Sequence, residues 1–308
     1  MWSVGTADNK AQRGYRDTMH RMKIYGICLV ILLSLAGCGR TGDGRTQNGN
    51  PPVESVPASG PGEASSDEGL SMVSQDGGTN FKAYQAPEFA DSAFHADKAE
   101  GTGTVKLDLS ALSQGYVAVS AESDKRLEFQ VLKGDTKYDY NMASDGTPSI
   151  FPLQGGDGTY TFKVMENVTE GKYAPIYTAE ENVVLADEFQ PFLRPSDYVN
   201  YSKDSDCVKK AAELAAKAED ALGVVSAVYA YITENVDYDY QKAATVQTGY
   251  LPDVDETLAT GKGICFDYAS LTAAMLRSQG IPTKMVFGDV SPDDVYHAWN
   301  MFYTEETG

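Results

Sequence analysis

Cys265 follows Gly261-Lys262-Gly263-Ile264 and opens residues 266–279, a stretch that Gly280 and Pro282 stop. This punctuation predicts a helix with Cys265 in its first turn. Free backbone N–H groups and about half a positive charge gather at a helix start. A thiol there is expected to ionise below its ordinary value of about 8.5, toward about 7 or lower beside an imidazolium. A thiolate is a strong nucleophile, and the glycines before it leave the approach uncrowded. His297 is the second reactive group. Residues 283–288 read as a strand, 291–294 as a turn and 296–304 as a further strand, with His297 near its start. Packed on the helix, that strand can bring the imidazole beside the sulfur, where it takes the thiol proton and later delivers it to a leaving group. Taken singly, a cysteine in an apolar helix is more often a small buried hydrophobe, and a histidine at a strand end more often structural.

Neighbouring residues exclude other chemistries. Gly261-Lys262 is not a phosphate-binding loop, because Glu256 stands where its first Gly belongs and Gly263 replaces the Ser or Thr. Asp253, Asp255 and Glu256 lack the Gly and the closing Glu of a calcium loop, so they read as a solvated acidic loop. The three histidines, His20, His95 and His297, lie far apart, and neither H-E-x-x-H nor C-x-x-C occurs. No metal site and no cofactor is therefore expected. An oxyanion would need donors. The backbone N–H of Cys265 is one candidate and the Tyr250 hydroxyl another, although Tyr250 reads more simply as an aromatic lining the cleft.

The elements that must position these groups are of two kinds. Residues 205–220 are rich in Ala, Lys and Glu and predict a helix capped by Ser205 or Asp206 and broken by Gly223. Residues 224–236 predict a second, with Val225, Val228, Tyr229, Ile232 and Val236 on one face as core. Residues 237–263 read as a loop long enough to line a cleft. Upstream, residues 104–109, 116–120, 127–132, 160–165 and 182–185 are strand candidates separated by turn signals such as Lys133-Gly134-Asp135. Short strands at this spacing predict an antiparallel β-sandwich. The fold class is α+β, with a β-sandwich-like domain over 81–187 and an α/β unit over 190–308. The sandwich reads first as a spacer or packing module, because architecture alone carries no function.

The beginning of the chain reads as an address. Residues 24–37 are uncharged and mostly apolar, and Arg13, Arg16, Arg21 and Lys23 precede them. As a helix they would span about 21 Å, short of the roughly 30 Å hydrocarbon core, which suits a signal peptide over 1–37. Leu35-Ala36-Gly37-Cys38 resembles a bacterial lipobox, which implies cleavage before Cys38 and its lipidation. The long basic region before the apolar stretch allows translation to start at Met19 or Met22. Residues 38–80 are rich in Gly, Pro, Ser, Asn and Asp and read as a flexible tether. The expected location is the extracytoplasmic face of a cell membrane. The sequons at Asn167 and Asn200 are discounted in a bacterial lipoprotein.

The 308 residues hold 44 acidic against 25 basic side chains, a formal charge of −19, which argues against nucleic acid as a partner. Hydrophobic residues at 42% are enough for real cores, so wholesale disorder is excluded. Four cysteines are too few for a disulfide scaffold, and Cys207 is expected to be a free thiol on the first helix.

Four blocks then occur in order. They are Tyr250-x-Pro252-Asp253-x-Asp255-x-Thr257-Leu258, Gly261-x-Gly263-x-Cys265-x-Asp267-Tyr268-Ala269, Gly280-Ile281-Pro282, and His297-Ala298-Trp299-Asn300. Together they resemble the bacterial transglutaminase-like superfamily over about residues 205–308. The resemblance implies a papain-like fold, a Cys helix packed on an antiparallel sheet. It implies Cys265 as nucleophile and His297 as general base and acid. The expected activity is thiol-dependent acyl transfer or hydrolysis at peptide or glutamine carboxamide bonds of a protein or peptide, cell-wall peptide included. The family's third catalytic residue is usually an Asp on the strand after the His strand. Asp289, Asp293, Asp294, Glu305 and Glu306 do not match that position, and the chain ends at Gly308. The expectation is a domain incomplete at its C-terminal end. The alternative is a non-catalytic extracytoplasmic binding lipoprotein with a degenerate transglutaminase-like fold.

Overall fold

Buried residues alternate with half-exposed ones along β3 (Leu127–Lys133), where Leu127, Phe129 and Val131 point inward. That period of two makes one face of a sheet apolar and fixes its register. The computed structural model describes residues 81–169, 171–291 and 295–307. The leader, Cys38, the tether, Asp293 and Asp294 lie outside the described residues.

β3 pairs antiparallel with β4 (Thr136–Met142) and with β6 (Gly158–Thr169), and β7 (Lys172–Val183) completes a sheet of order β4-β3-β6-β7. A second antiparallel sheet has the order β1-β2-β5, from β1 (Lys106–Asp108), β2 (Tyr116–Ser120) and β5 (Ser149–Pro152). Their inner faces share one core. Phe129 of the first sheet stacks on Phe151 of the second at 5.0 Å between centroids and on Phe162 at 6.2 Å. Burying each ring is worth about 2–3 kcal/mol, with about 0.5–1.5 kcal/mol more from ring geometry.

The sandwich differs in detail from the expectation. β4 and β5 were not foreseen: β4 is an edge strand with polar residues between its tyrosines, and β5 is short and ends at Pro152. The strand expected over 182–185 is only the end of the long, polar β7.

The rest of the described chain surrounds one helix. α1 (Asp206–Ala215), α2 (Ala221–Asn235), α3 (Tyr240–Thr245), α4 (Val254–Thr260) and α5 (Cys265–Ser278) follow in order, then the hairpin β10 (Thr283–Val290) and β11 (Val295–Phe302). Residues Asp267 to Ser278 of α5 are buried throughout, which explains its uncharged stretch. α1, α2 and α4 pack around it through Val225, Val228, Ile232, Val254, Leu271 and Met275. In the hairpin, Met285 pairs with Asn300 and Phe287 with Ala298. This face turns to α5: Asn300 Nδ2 donates to the Ala269 carbonyl at 2.9 Å, and the Phe287 ring lies 5.3 Å from Phe266.

Caps explain the other differences. α1 ends at Ala215, and the Asp255 carboxylate, rather than Ser205, accepts its first N–H groups, from Asp206 at 3.2 Å and Cys207 at 2.9 Å. Gly223 does not break a helix but sits in the first turn of α2, where its N–H donates to the Asp220 cap at 2.7 Å. The expected loop over 237–263 holds α3, α4 and a two-residue parallel pairing of β8 (Asp237–Tyr238) with β9 (Lys262–Gly263).

Residues 194–199 tie the sandwich to α5. Asp197 exchanges hydrogen bonds with Ile150 of β5, accepting its N–H at 2.6 Å and donating to its carbonyl at 3.1 Å. The Tyr198 carbonyl accepts from Ser270 at 2.7 Å. Its ring touches Tyr140 at 5.5 Å and Phe266 at 5.3 Å. At the far end of α5, buried Arg277 donates to the Arg194 carbonyl at 2.8 Å and the Thr283 carbonyl at 2.9 Å.

Candidate active site

α4 stops because Gly261 adopts a left-handed conformation, φ 61°, and closes the helix on Thr257. The β8–β9 pairing then holds the chain on course, with Asp239 N–H bonded to the Gly263 carbonyl at 2.9 Å. Ile264 is extended and Cys265 is the first residue of α5, as the punctuation predicted. Gly263 has a packing reason. A Cβ there would lie 2.6 Å from Cβ of Asp267, so the bare backbone lets the helix start fold against the chain entering it.

Asp267, the third residue of α5, is fully buried. Its Oδ2 accepts the Ile264 N–H at 2.7 Å, half of a capping box. The Tyr250 hydroxyl donates to Oδ1 at 2.5 Å, and Lys242 Nζ donates to Oδ2 at 3.2 Å. Lys242 also donates to the Tyr250 oxygen at 2.8 Å. In this arrangement the single hydroxyl proton of Tyr250, an oxyanion-donor candidate, is donated to Asp267.

The Cys265 sulfur is half-buried, and the backbone N–H groups of Ala298, Phe266 and Cys265 itself point at it. Those donors favour the thiolate. Burial and the nearby Asp267 charge oppose them and prevail, so the thiol's pKa is raised above its ordinary value. The expected depression by the helix start is therefore overturned. The buried carboxylate behind the thiol, which the position of Cys265 at a helix start does not reveal, is one reason.

Ala298 is the residue after His297. The amide that acts on the thiol thus belongs to β11, the strand that carries the imidazole, with His297 and Trp299 on the strand face opposite Ala298 and Asn300. His297 lies in register with Gly288 and stacks on Trp299, ring centroids 6.5 Å apart and 17° from parallel. Trp299 in turn covers Gly288, where a Cβ would come within 3.4 Å of the indole. Partial burial lowers the imidazole pKa, so the ring is neutral at neutral pH and able to accept a proton. Among the described residues no carboxylate lies within ion-pair distance of His297. Asp289 stands opposite Tyr296, and Glu306 is turned to the Ala221 N–H at 3.2 Å. Tyr238 and Tyr296 flank the sulfur closely enough to feel its charge, and Tyr296 is exposed. Among the described residues no three His, Cys, Asp or Glu side chains gather to hold a metal ion.

Sequence reasoning missed three contributors: Lys242, the carboxylate of Asp267 and the Ala298 N–H. Lys242 left a trace, since it is the sole basic residue between Asp237 and Glu256.

A cysteine-bearing helix start, a histidine-bearing strand and an antiparallel hairpin packed on the helix give this part of the chain an α+β fold. Residues 208–308 match the family model of the transglutaminase-like superfamily. The UPF0252 protein MJ1282 of Methanocaldococcus jannaschii is 31% identical over 75 residues, 23% of this chain and 21% of that protein. The chain therefore spans about a fifth of the length of the curated relative it matches. A crystal structure from Cytophaga hutchinsonii shares 18% identity, covering 60% of this chain and 64% of its own, with a TM-score of 0.34. The periplasmic domain of TgpA from Pseudomonas aeruginosa, bound to ethylmercury, shares 17% identity, covering 67% and 70%, with a TM-score of 0.30.

Proposed function

We propose that this protein is a thiol-dependent acyl transferase or hydrolase acting on peptide or glutamine carboxamide bonds. The reading is supported by the placement of Cys265 at the start of α5 and of His297 on β11, the strand whose Ala298 N–H acts on the thiol. His297 takes the proton from sulfur as sulfur bonds to the carbonyl carbon. The carbon–nitrogen bond then breaks, and the imidazolium gives its proton to the departing ammonia or amine. A thioester remains on Cys265. An amine or water attacks it, His297 accepts that nucleophile's proton, and the proton returns to sulfur as the new acyl bond is completed. The Cys265 N–H is the donor available to the oxyanion. The substrate is a protein or peptide, and the place of action is the extracytoplasmic face of a membrane, with Cys38 as lipid anchor.

A second reading, a non-catalytic binding protein on a degenerate fold, is favoured by two observations. The thiol's pKa is raised, and among the described residues no carboxylate orients His297. Loss of the orienting acid costs on the order of 10⁴ in rate in serine triads. The test is incubation of the protein with a fluorescent amine and a glutamine-containing acceptor, with ammonia release followed in parallel. The enzyme reading expects incorporation or ammonia from wild type and none from Cys265→Ala. Equal signals from both proteins remove Cys265 from the mechanism.

A further inference from the structure

The Lys242–Tyr250–Asp267 cluster is larger than a helix cap requires. Asp267 needs only its Oδ2 to hold the Ile264 N–H, and the Tyr250 hydroxyl already satisfies Oδ1. Lys242 nevertheless crosses from α3 to place a full positive charge 3.2 Å from Oδ2, with its ammonium 4.9 Å from the Tyr250 ring centroid. The carboxylate it meets has no exposed surface, while Lys242 itself remains partly exposed.

We propose that Lys242 is a positioning residue for the thiol: with Tyr250 it clamps the Asp267 carboxylate and offsets the negative charge built into the first turn of the nucleophile helix. The inference rests on the reading of Cys265 as nucleophile. Asp267 is two residues from Cys265, and its charge opposes formation of the thiolate. A cation paired with that charge reduces the opposition without touching the sulfur. The other ionisable groups that act on the sulfur are Tyr238 of β8 and Tyr296 of β11, and His297 is borne on the same β11 strand. The phenols are neutral at neutral pH, with pKa values raised by burial, and the imidazole is neutral too. Asp267 is thus the anionic neighbour acting on the thiol, and Lys242 is its cationic partner. The same clamp fixes the side wall of the site, because Tyr250 rests edge-on against Phe266, the residue after Cys265, at 6.3 Å.

The test is the pH profile of Cys265 alkylation by iodoacetamide on the full chain, read by mass spectrometry of the Cys265 peptide. Lys242→Gln keeps a hydrogen-bond donor for Asp267 but not the charge. It is expected to move the midpoint up by about one pH unit, slowing labelling at pH 7 roughly tenfold. Lys242→Arg keeps the wild-type profile. The double variant Lys242→Gln/Asp267→Asn, with neither charge, returns the midpoint to or below the wild-type position. A Lys242→Gln profile that overlays wild type overturns the proposal, even if thermal stability falls, because the clamp is then only structural. A double variant as slow as the single one overturns it as well. Amine incorporation that survives Cys265→Ala defeats the nucleophile reading instead, and leaves these labelling midpoints untouched.

Discussion

Cys265 and His297 stand as a neutral pair, because burial acts on them in opposite directions. It raises the thiol's pKa and lowers the imidazole's, so both changes disfavour the charged forms. In the proposed mechanism a proton then passes from sulfur to imidazole as the substrate is attacked, in place of a preformed thiolate–imidazolium pair. The residue types and their positions were legible in the sequence, since a Gly-bounded helix start and a strand-borne His follow from local punctuation. The direction of the thiol's shift was not. It depends on Asp267, fully buried behind the sulfur, and on the depth of the pocket, which are products of packing.

The elements meet at residues 194–199, and one carboxylate there makes the junction pH-sensitive. Burial pushes the Asp197 pKa up to about 6, against the Ile150 and Ser149 hydrogen bonds that favour its charge. A raised carboxyl pKa contributes stability that is fully present below the unfolded value, about 3.9, and is lost as pH rises through about 6. The loss is of order 1–3 kcal/mol. Asp197→Asn keeps an oxygen for the Ile150 N–H and removes the titration. Denaturant unfolding from about pH 4 to about pH 7.5 should therefore show the variant gaining on wild type as pH rises. Parallel stability curves would refute the assignment. Helices and the central hairpin were readable because Cys265–Ser278 is bounded by Gly-type stops and β10 and β11 by a turn. The junction was not, because residues 194–199 have neither period and are ordered by distant partners such as Ile150, Ser270 and Arg277.

In the sequence as a whole, a basic and then apolar segment precedes an acidic body, and Cys38 stands at the boundary. The lipobox resemblance rests on short-range chemistry alone and lies outside the described residues. The β-sandwich was readable as a class, but β4 and β5 were missed, since their alternation is interrupted by polar residues or by Pro152. Anchoring predicts that wild type expressed in a bacterium sediments with membranes. Cys38→Ser should move it to the soluble extracytoplasmic fraction, since on the proposed anchoring acyl chains on Cys38 supply the attachment. Unchanged sedimentation of Cys38→Ser would contradict the anchor.

The most direct test of the proposed mechanism is the rate of Cys265 alkylation in wild type and in His297→Ala, measured across pH. If imidazole takes the sulfur's proton, His297→Ala should label at least tenfold more slowly near pH 7, a floor set below the general-base effects of about 10²–10⁴. The two proteins should converge at high pH, where hydroxide strips the thiol without help. Profiles that coincide throughout would contradict the account, for they would mean that sulfur and imidazole do not share a proton.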